Sequence, residues 1–119
     1  MYTFTITLGL EDDFGASYSP DWIERYVQSS SHAKSMFSLF TIARGNGIDT
    51  DTDQKEPVLV LQGFCSSETN LINTQDYFRG VAESMRQRGF GWFQSSHGSY
   101  AYTDIGQEAM EYEVEGSLT

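Results

Sequence analysis

The stretch YTFTITLGL, residues 2–10, decides the fold class of this chain. Large apolar side chains occupy every second position, and threonines fill three of the four positions between them. Since successive side chains of a β-strand point to opposite faces, this period of two is typical of a strand with one buried face. We therefore predict a first strand over residues 2–10. One side of it carries Tyr2, Phe4, Ile6, Leu8 and Leu10.

Two helices are predicted further along the chain. Ser19-Pro20-Asp21 indicates a helix start, because serine is a good N-cap, proline suits the first helical position and an acid suits the first turn. The serines at 29–31 should weaken and end this helix. For the second helix we predict an N-cap at Asn73 and a stop at Gly89. Its apolar stripe comprises Tyr77, Val81 and Met85.

Further strands are predicted over residues 36–42, 57–61, 90–94, 99–103 and 109–115, and a helix is the alternative for the last of these. The order strand, helix, strand, strand, helix, strand is that of the ferredoxin-like split βαβ motif. The length suits one hydrophobic core. We therefore predict a single α+β domain over residues 1–119, with a ferredoxin-like βαββαβ arrangement and an additional C-terminal hairpin or strand. Two helices should cover one face of a mainly antiparallel sheet.

Three short segments consist mostly of strand hydrophobics and glycine turns: ITLGL at 6–10, FTIARG at 40–45 and EPVLV at 56–60. In these segments the chain resembles a class of small ferredoxin-like proteins of unknown function from phages, plasmids and some bacteria. The resemblance covers the first half of the chain. It implies the fold and an origin in a mobile element, and it carries no catalytic residues.

The charge balance restricts the partners. The chain has 17 acidic and 7 basic residues, for a net charge of −10. Such a surface repels nucleic acids and anionic membranes, and its electrostatic complements are basic protein surfaces and cations. The sequence lacks the pattern of a signal peptide or membrane span, so we expect a cytoplasmic protein. Cys65 is the only cysteine, which fits a reducing compartment and favours a small buried side chain over a nucleophile.

Regularly spaced acids suggest a partner-binding face. On a strand, Glu111, Glu113 and Glu115 would project at intervals of about 7 Å, a scale comparable with the ~3.4 Å spacing of phosphates along DNA. The alternative is an acidic solvent face on an edge strand. The complete predicted face comprises Glu111, Glu113, Glu115, Glu108, Asp104, Asp49, Asp51 and Asp53.

The Asp49–Asp53 segment also resembles the first half of an EF-hand loop. That loop requires glycine at its sixth position and glutamate at its twelfth, where this chain has Gln54 and Val60. An irregular calcium site and a solvated loop stay open as alternatives. We predict no metal site, no cofactor and no catalytic residue.

Two further features of the sequence could serve a binding or catalytic function. Residues 88–93, RGFGWF, imitate the aromatic signature of the RNA-recognition motif, but they follow the second helix of a chain with a pI of about 4.3. We interpret them as a helix-stop glycine followed by a core strand, and expect no direct nucleic-acid binding. His32 and His97, the only histidines, are interpreted as surface residues.

These patterns favour a non-catalytic acidic binding module. In its most concrete form it is a phage or mobile-element inhibitor that mimics nucleic acid and blocks a basic surface of a nucleic-acid-handling defence complex. Two alternatives stay open. The first is a small enzyme or ligand-binding domain whose site lies near Arg44, Arg79 or His97. The second is a homodimeric structural module joined through the open sheet face or edge.

Overall fold

The computed structural model describes residues 2–48, 54–95 and 100–104. The α+β class is confirmed, and the first predicted strand is present. Along the chain the elements are β1 (Tyr2–Gly9), α1 (Pro20–Ser29), α2 (Ser31–Met36), β2 (Ser38–Ile48), β3 (Lys55–Cys65), α3 (Glu68–Ser84), β4 (Gly89–Gln94) and β5 (Tyr100–Asp104).

The strands form an open antiparallel sheet in the order β2-β3-β1-β4, and β5 pairs with the outer side of β4. The predicted strand β1 lies at the centre, where Ile6 is opposite Leu61 on β3 and Trp92 on β4. A strand with neighbours on both sides forms hydrogen bonds along both edges, so β1 organises the sheet. The predicted strand over 109–115 lies outside the described residues.

One face of the sheet builds the core. Phe4, Ile6 and Leu8 of β1 are almost completely buried, as the alternation predicts. Each such side chain contributes roughly 1.5–3 kcal/mol when fully removed from water. The helices cover this face with Ile23 and Val27 of α1, Ala33 of α2, and Leu71, Phe78, Val81 and Ala82 of α3.

The first helix begins as predicted. The Ser19 hydroxyl accepts a hydrogen bond from the Trp22 amide at 3.4 Å, and Pro20 opens the helix. The serine-rich segment ends α1, also as predicted. Ser30 then starts the short helix α2, which the sequence patterns did not indicate, by accepting a hydrogen bond from the Ala33 amide at 3.1 Å.

The predicted ends of the second long helix are wrong. Its N-cap is Ser67, whose hydroxyl accepts a hydrogen bond from the Asn70 amide at 3.1 Å, while Asn73 lies inside the helix. Gly89 belongs to β4, and the left-handed residue after the helix is Arg86, with φ of 55°. A non-glycine residue can occupy this conformation at a modest cost in strain.

None of the helices within the described ranges is long and apolar enough to cross a membrane.

Gly63 on β3 permits a close approach between two parts of the core. A Cβ atom at this position would lie 2.5 Å from the Ser38 carbonyl oxygen and 2.8 Å from the Phe4 ring. Backbone cannot move aside as readily as a flexible side chain, and Phe4 is enclosed in the core. Glycine is therefore required for β2 and Phe4 to pack against β3.

We expect Gly63→Ala to destabilise the fold by about 1–3 kcal/mol, because the methyl group overpacks the core. The matched control is Gly80→Ala in α3, where an added Cβ meets nothing within 4 Å. Alanine has the higher helix propensity, so the control should stabilise the protein by up to about 1 kcal/mol. Urea unfolding followed by circular dichroism measures both variants. Equal stability of Gly63→Ala and wild type would contradict the packing argument.

Candidate ligand-binding groove

A groove of about 470 Å³ lies where the two short helices meet the start of β2. Its volume falls within the ~300–1,000 Å³ typical of sites for small organic ligands. The last turns of α1, the middle of α2 and the first residues of β2 all contribute to its wall. The lining residues are Val27, Gln28, Ala33, Lys34, Phe37, Ser38 and Leu39.

The turn between α1 and α2 shapes the groove. The Ser30 amide donates to the Val27 carbonyl at 3.3 Å, and the Ser30 hydroxyl accepts from the Ala33 amide at 3.1 Å. One serine thereby caps the end of one helix and the start of the next. The resulting change of direction brings Val27 and Ala33 to the same groove.

The floor of the groove is part of the hydrophobic core. Phe37 is buried, and its ring centroid lies 5.7 Å from that of Phe4 and 5.3 Å from that of Phe78. These aromatic contacts fix the ring, because they constrain it on more than one side. Val27 and Ala33 are also buried, so the floor is apolar and rigid.

The start of β2 forms one wall and is irregular. The register with β3 shifts between Leu39 and Thr41, which is a β-bulge. Such bulges re-aim side chains and are frequent beside active sites. Here Leu39 lines the groove, while the extra residue, Phe40, stacks its ring on Phe64 at 6.4 Å on the other side of the sheet.

Three exposed polar side chains stand at the groove: the Gln28 amide, the Lys34 ammonium and the Ser38 hydroxyl. An apolar floor with a few polar groups suits a ligand that has a flat ring system and a polar or anionic tail. Among the described residues, those that line the groove include no carboxylate, imidazole or thiol. Its residues therefore offer contacts and one positive charge, and no acidic side chain that could act as a general base.

The described residues do not test the predicted acidic face. Asp104 ends β5 opposite Gly89, and its side chain is not described. The other members, Glu108, Glu111, Glu113, Glu115, Asp49, Asp51 and Asp53, lie outside the described ranges. Within those ranges, no three His, Cys, Asp or Glu residues are grouped so that they could hold a metal ion.

The residues named for the enzyme alternative do not line the groove. Arg44 forms an ion pair with Asp21 on α1 and lies 3.7 Å from Glu24. Arg79 lies 3.9 Å from Asp76 within α3. His97 is outside the described ranges.

Three other interpretations can be compared with the structure. His32 is exposed on α2, as predicted. Phe90 and Trp92 are buried, and Trp92 stacks on Phe4 at 5.3 Å, so the aromatic segment of β4 is a core strand. Cys65 is buried, and its burial raises the pKa of the thiol despite an opposing hydrogen bond with Thr74. A thiol in this state is a poor nucleophile, as the sequence indicated.

No residue pattern pointed to the groove. It is assembled from seven described positions, which lie on α1, α2 and β2 and at Phe37 between α2 and β2, and none of them forms a motif. Two sequence features could have indicated a groove: the serine-rich segment at the end of α1 and the apolar Phe37 after it. Both are equally typical of an ordinary connection between two helices.

A second ordered feature is the loop after β1. The Asp12 carboxylate accepts hydrogen bonds from the Phe14 amide at 2.8 Å, the Ala16 amide at 3.0 Å and the Tyr18 hydroxyl at 2.8 Å. The Arg86 guanidinium lies 5.0 Å from the Phe14 ring centroid. These contacts join the loop to the turn that follows α3.

The same contacts set the pKa of the Asp12 carboxyl. Desolvation alone would raise it, but the hydrogen bonds from Ala16, Tyr18 and Phe14 and the charge of Arg86 outweigh that effect. The pKa therefore lies below its ordinary value of 3.8. The ionised carboxylate thus stabilises the folded loop.

Comparison with known proteins identifies one solved structure with the same fold. A phage SAM lyase, solved in complex with S-methyl-5′-thioadenosine, matches with a TM-score of 0.61 and 12% sequence identity. The match covers 87% of this chain and 88% of that chain. No protein-family model matches the sequence. A search of curated proteins gives no match either.

This similarity corrects two expectations. The chain was predicted to be a non-catalytic acidic inhibitor and no enzyme, yet a protein that shares its fold over nearly the whole of both chains is a phage enzyme. Both predictions are contradicted by this finding. They rested on net charge, chain length and a resemblance that carries no catalytic residues, and none of these identifies a site. The phage origin of the neighbour agrees with one part of the predicted resemblance.

We expect the Asp12 contacts to make stability depend on pH. Because the folded pKa is depressed, the carboxylate's contribution is fully present above pH ~4 and is lost as the pH falls through the folded value. Asp12→Asn should therefore be less stable than wild type near neutral pH, and the difference should shrink below pH ~4.

Urea unfolding at a series of pH values measures this difference. Asp76→Asn is the control, since Asp76 is exposed on α3 and its ion pair with Arg79 spans 3.9 Å. That variant should stay close to wild type near neutral pH. A stability difference for Asp12→Asn that stays constant from neutral pH down to about pH 2.5 would show that the carboxylate charge is unimportant.

Proposed function

We propose that this chain is a small enzyme that binds S-adenosylmethionine in the groove and cleaves it to S-methyl-5′-thioadenosine. The observation that carries the proposal is the fold shared with the phage SAM lyase over nearly the full length of both chains. The groove supports it, because its volume and its apolar floor suit an adenosyl group.

The sheet topology supports the ferredoxin-like form of this fold. Strands β1 and β2, joined through α1 and α2, are separated in the sheet by β3. Strands β3 and β4, joined through α3, are separated by β1. Two interleaved units of this kind make up the split βαβ arrangement, to which β5 adds one strand.

The proposed reaction breaks one carbon–sulfur bond. S-methyl-5′-thioadenosine retains the adenosine, the sulfur and the methyl group of S-adenosylmethionine, so the bond that breaks joins sulfur to the four-carbon amino acid chain. Its electron pair moves to sulfur, and the positive sulfonium becomes a neutral thioether. The carbon that sulfur leaves must gain an electron pair. In a lyase reaction, which adds no water, the pair comes from a carboxylate oxygen of the substrate or from an adjacent C–H bond.

The groove favours attack by the substrate's own carboxylate. Elimination needs a base to remove a proton, and the part of the lining that the structure describes includes no carboxylate or imidazole. Displacement by the carboxylate oxygen forms a C–O bond as the C–S bond breaks and needs no external base. The products are then S-methyl-5′-thioadenosine and a five-membered amino lactone.

The apolar floor would assist this step. The reacting carboxylate and sulfonium have opposite charges, and both charges diminish in the transition state. A poorly hydrated surface made by Val27, Phe37 and Leu39 solvates the separated charges less well than water does. The barrier falls because the transition state loses less solvation than the charged ground state.

The polar side chains would position the substrate. Lys34 is the cation among the described lining residues, so it is suited to hold the substrate's carboxylate end. Gln28 and Ser38 can hydrogen-bond the ribose or the adenine edge. The net charge of −10 would attract S-adenosylmethionine, whose sulfonium, ammonium and carboxylate sum to one positive charge.

The direct test is to incubate the purified protein with S-adenosylmethionine and identify the products by mass spectrometry. We expect S-methyl-5′-thioadenosine together with the lactone. An unsaturated amino acid in place of the lactone would contradict displacement by the carboxylate. Tight binding without turnover would reduce the function to ligand binding, and absence of both would overturn the proposal.

The variant Lys34→Ala tests whether Lys34 binds the carboxylate end of the substrate or its adenosine end. We expect affinity for S-adenosylmethionine to fall about tenfold, since a charge-assisted hydrogen bond is lost, and turnover at substrate concentrations below saturation to fall with it. Affinity for S-methyl-5′-thioadenosine should change less than about twofold, because that molecule has no carboxylate.

Isothermal titration calorimetry with both ligands measures these affinities. Lys55→Ala is the matched control, as it removes the same charge from an exposed position at the start of β3 that is not part of the groove lining. Equal effects of the two substitutions would exclude a specific role for Lys34. Equal weakening of both ligands by Lys34→Ala would place the carboxylate elsewhere.

A further inference from the structure

The Tyr77 side chain on α3 lies behind the groove. It is half-buried and is not one of the lining residues. Its ring centroid lies 5.9 Å from that of Phe37 in the groove floor, 5.3 Å from that of Phe78 and 6.3 Å from that of His32 on α2. The ring therefore packs against both the floor of the groove and the short helix beside it.

The Tyr77 hydroxyl is buried without a hydrogen bond to any residue that the structure describes. Burial raises the pKa of Tyr77 above its ordinary value of 10.0. The nearby Ser30 hydroxyl opposes this shift, although the two groups do not have the geometry of a hydrogen bond. A buried hydroxyl without a partner destabilises the folded state, and such groups in native proteins often have a function.

Ser30 connects this hydroxyl to the groove. Its amide donates to the Val27 carbonyl at 3.3 Å, and its hydroxyl accepts from the Ala33 amide at 3.1 Å. Val27 and Ala33 both line the groove. Because a serine hydroxyl oxygen has two acceptor sites, Ser30 can accept a second hydrogen bond from Tyr77 while it still caps α2. A small shift of Ser30 would therefore supply the missing partner.

Helix α2 is suited to such a shift. It has six residues, too few for a helix to be stable without tertiary contacts. Tyr77 provides two of these contacts, to His32 near the start of α2 and to Phe37 directly after its end. Ala33 and Lys34 of the same helix line the groove. Since α2 lies between the groove and Tyr77, a ligand that moves this helix also changes its contacts with Tyr77.

We propose that Tyr77 is a positioning residue of the groove, whose hydroxyl donates a hydrogen bond to Ser30 when a ligand is bound. The inference rests on the proposed function, because it takes the groove as the binding site. In the free protein the hydroxyl lacks this bond and lowers stability. In the complex the bond holds α2, and the groove walls at Val27 and Ala33, against the ligand. Because the bond forms only in the bound state, its free energy adds to affinity.

Tyr77→Phe distinguishes this role from a merely structural one. The variant keeps the ring and removes the unpartnered hydroxyl, so without ligand we expect it to melt roughly 2–5 °C above wild type. Its affinity for S-methyl-5′-thioadenosine and for S-adenosylmethionine should fall by the same factor, about three- to tenfold. In turnover, KM should rise accordingly and kcat should change less than about twofold, since the hydroxyl does not contact the reacting atoms.

Tyr26→Phe is the matched control. It removes the same group from α1, where Tyr26 is 48% exposed, and it should change neither melting temperature nor affinity. Ser30→Ala identifies the partner, because it removes the hydroxyl that Tyr77 would bond. In the Ser30→Ala background, Tyr77→Phe should weaken binding less than about 1.5-fold, since the bond is already lost. Differential scanning fluorimetry measures the melting temperatures, and isothermal titration calorimetry measures the affinities.

Two results would contradict the inference. A melting temperature of Tyr77→Phe that is not above that of wild type would show that the hydroxyl already has a partner in the free protein. Unchanged affinity of this variant would show that the hydroxyl does not act on the groove. Wild type that binds both ligands without cleaving S-adenosylmethionine would refute the proposed reaction alone. Unchanged affinity of the variant with intact lyase activity would refute the role of Tyr77 alone, and wild type that binds neither ligand would refute both.

Discussion

The packing of the Phe4 ring is the contact on which the rest of the structure depends. The ring is parallel to Trp92 at 5.3 Å, meets Phe37 edge-on at 5.7 Å and lies 6.2 Å from Phe78. It thereby joins the central strand to β4, to the start of β2 and to α3. Gly63 leaves the space the ring occupies. Because Phe37 also forms the groove floor, the same cluster that holds the sheet to its helices sets the shape of the candidate site.

The elements whose signals are local could be predicted. Alternation in β1 and the Ser19-Pro20 start of α1 depend on residues adjacent in the chain, and both agree with the structure. The ends of α3 were mispredicted because several residues could serve as caps. Ser67 and Asn73 are both good N-caps, and the earlier start agrees with the burial of Leu71, a core residue of the helix that precedes Asn73. Arg86 takes the left-handed position usually held by glycine, where its guanidinium lies against Phe14.

The groove could not be predicted, since its residues meet through tertiary structure. Val27 and Leu39 are on different elements, and each is an ordinary apolar position in its own helix or strand. The bulge at Phe40 depends on pairing with β3, which the sequence of β2 alone does not show. The alternating acids and the aromatic segment of β4 are recognisable in the sequence because each pattern consists of neighbouring residues. The structure shows that the aromatic segment is part of the hydrophobic core.

If the substrate is a sulfonium, the net charge of the chain acts on the substrate and need not indicate a basic protein partner. An acidic surface attracts a cationic small molecule for the same reason that it attracts a basic protein. Cleavage of the C–S bond would remove the sulfonium charge, so the thioadenosine product would be neutral and the field would no longer retain it. The field would thus favour entry of substrate over retention of this product, without any acidic residue among the described residues that line the groove. Within the groove the exposed Lys34 has the opposite sign, so it would repel the sulfonium end and attract the carboxylate. The global charge would therefore deliver the substrate, and the local charge would orient it.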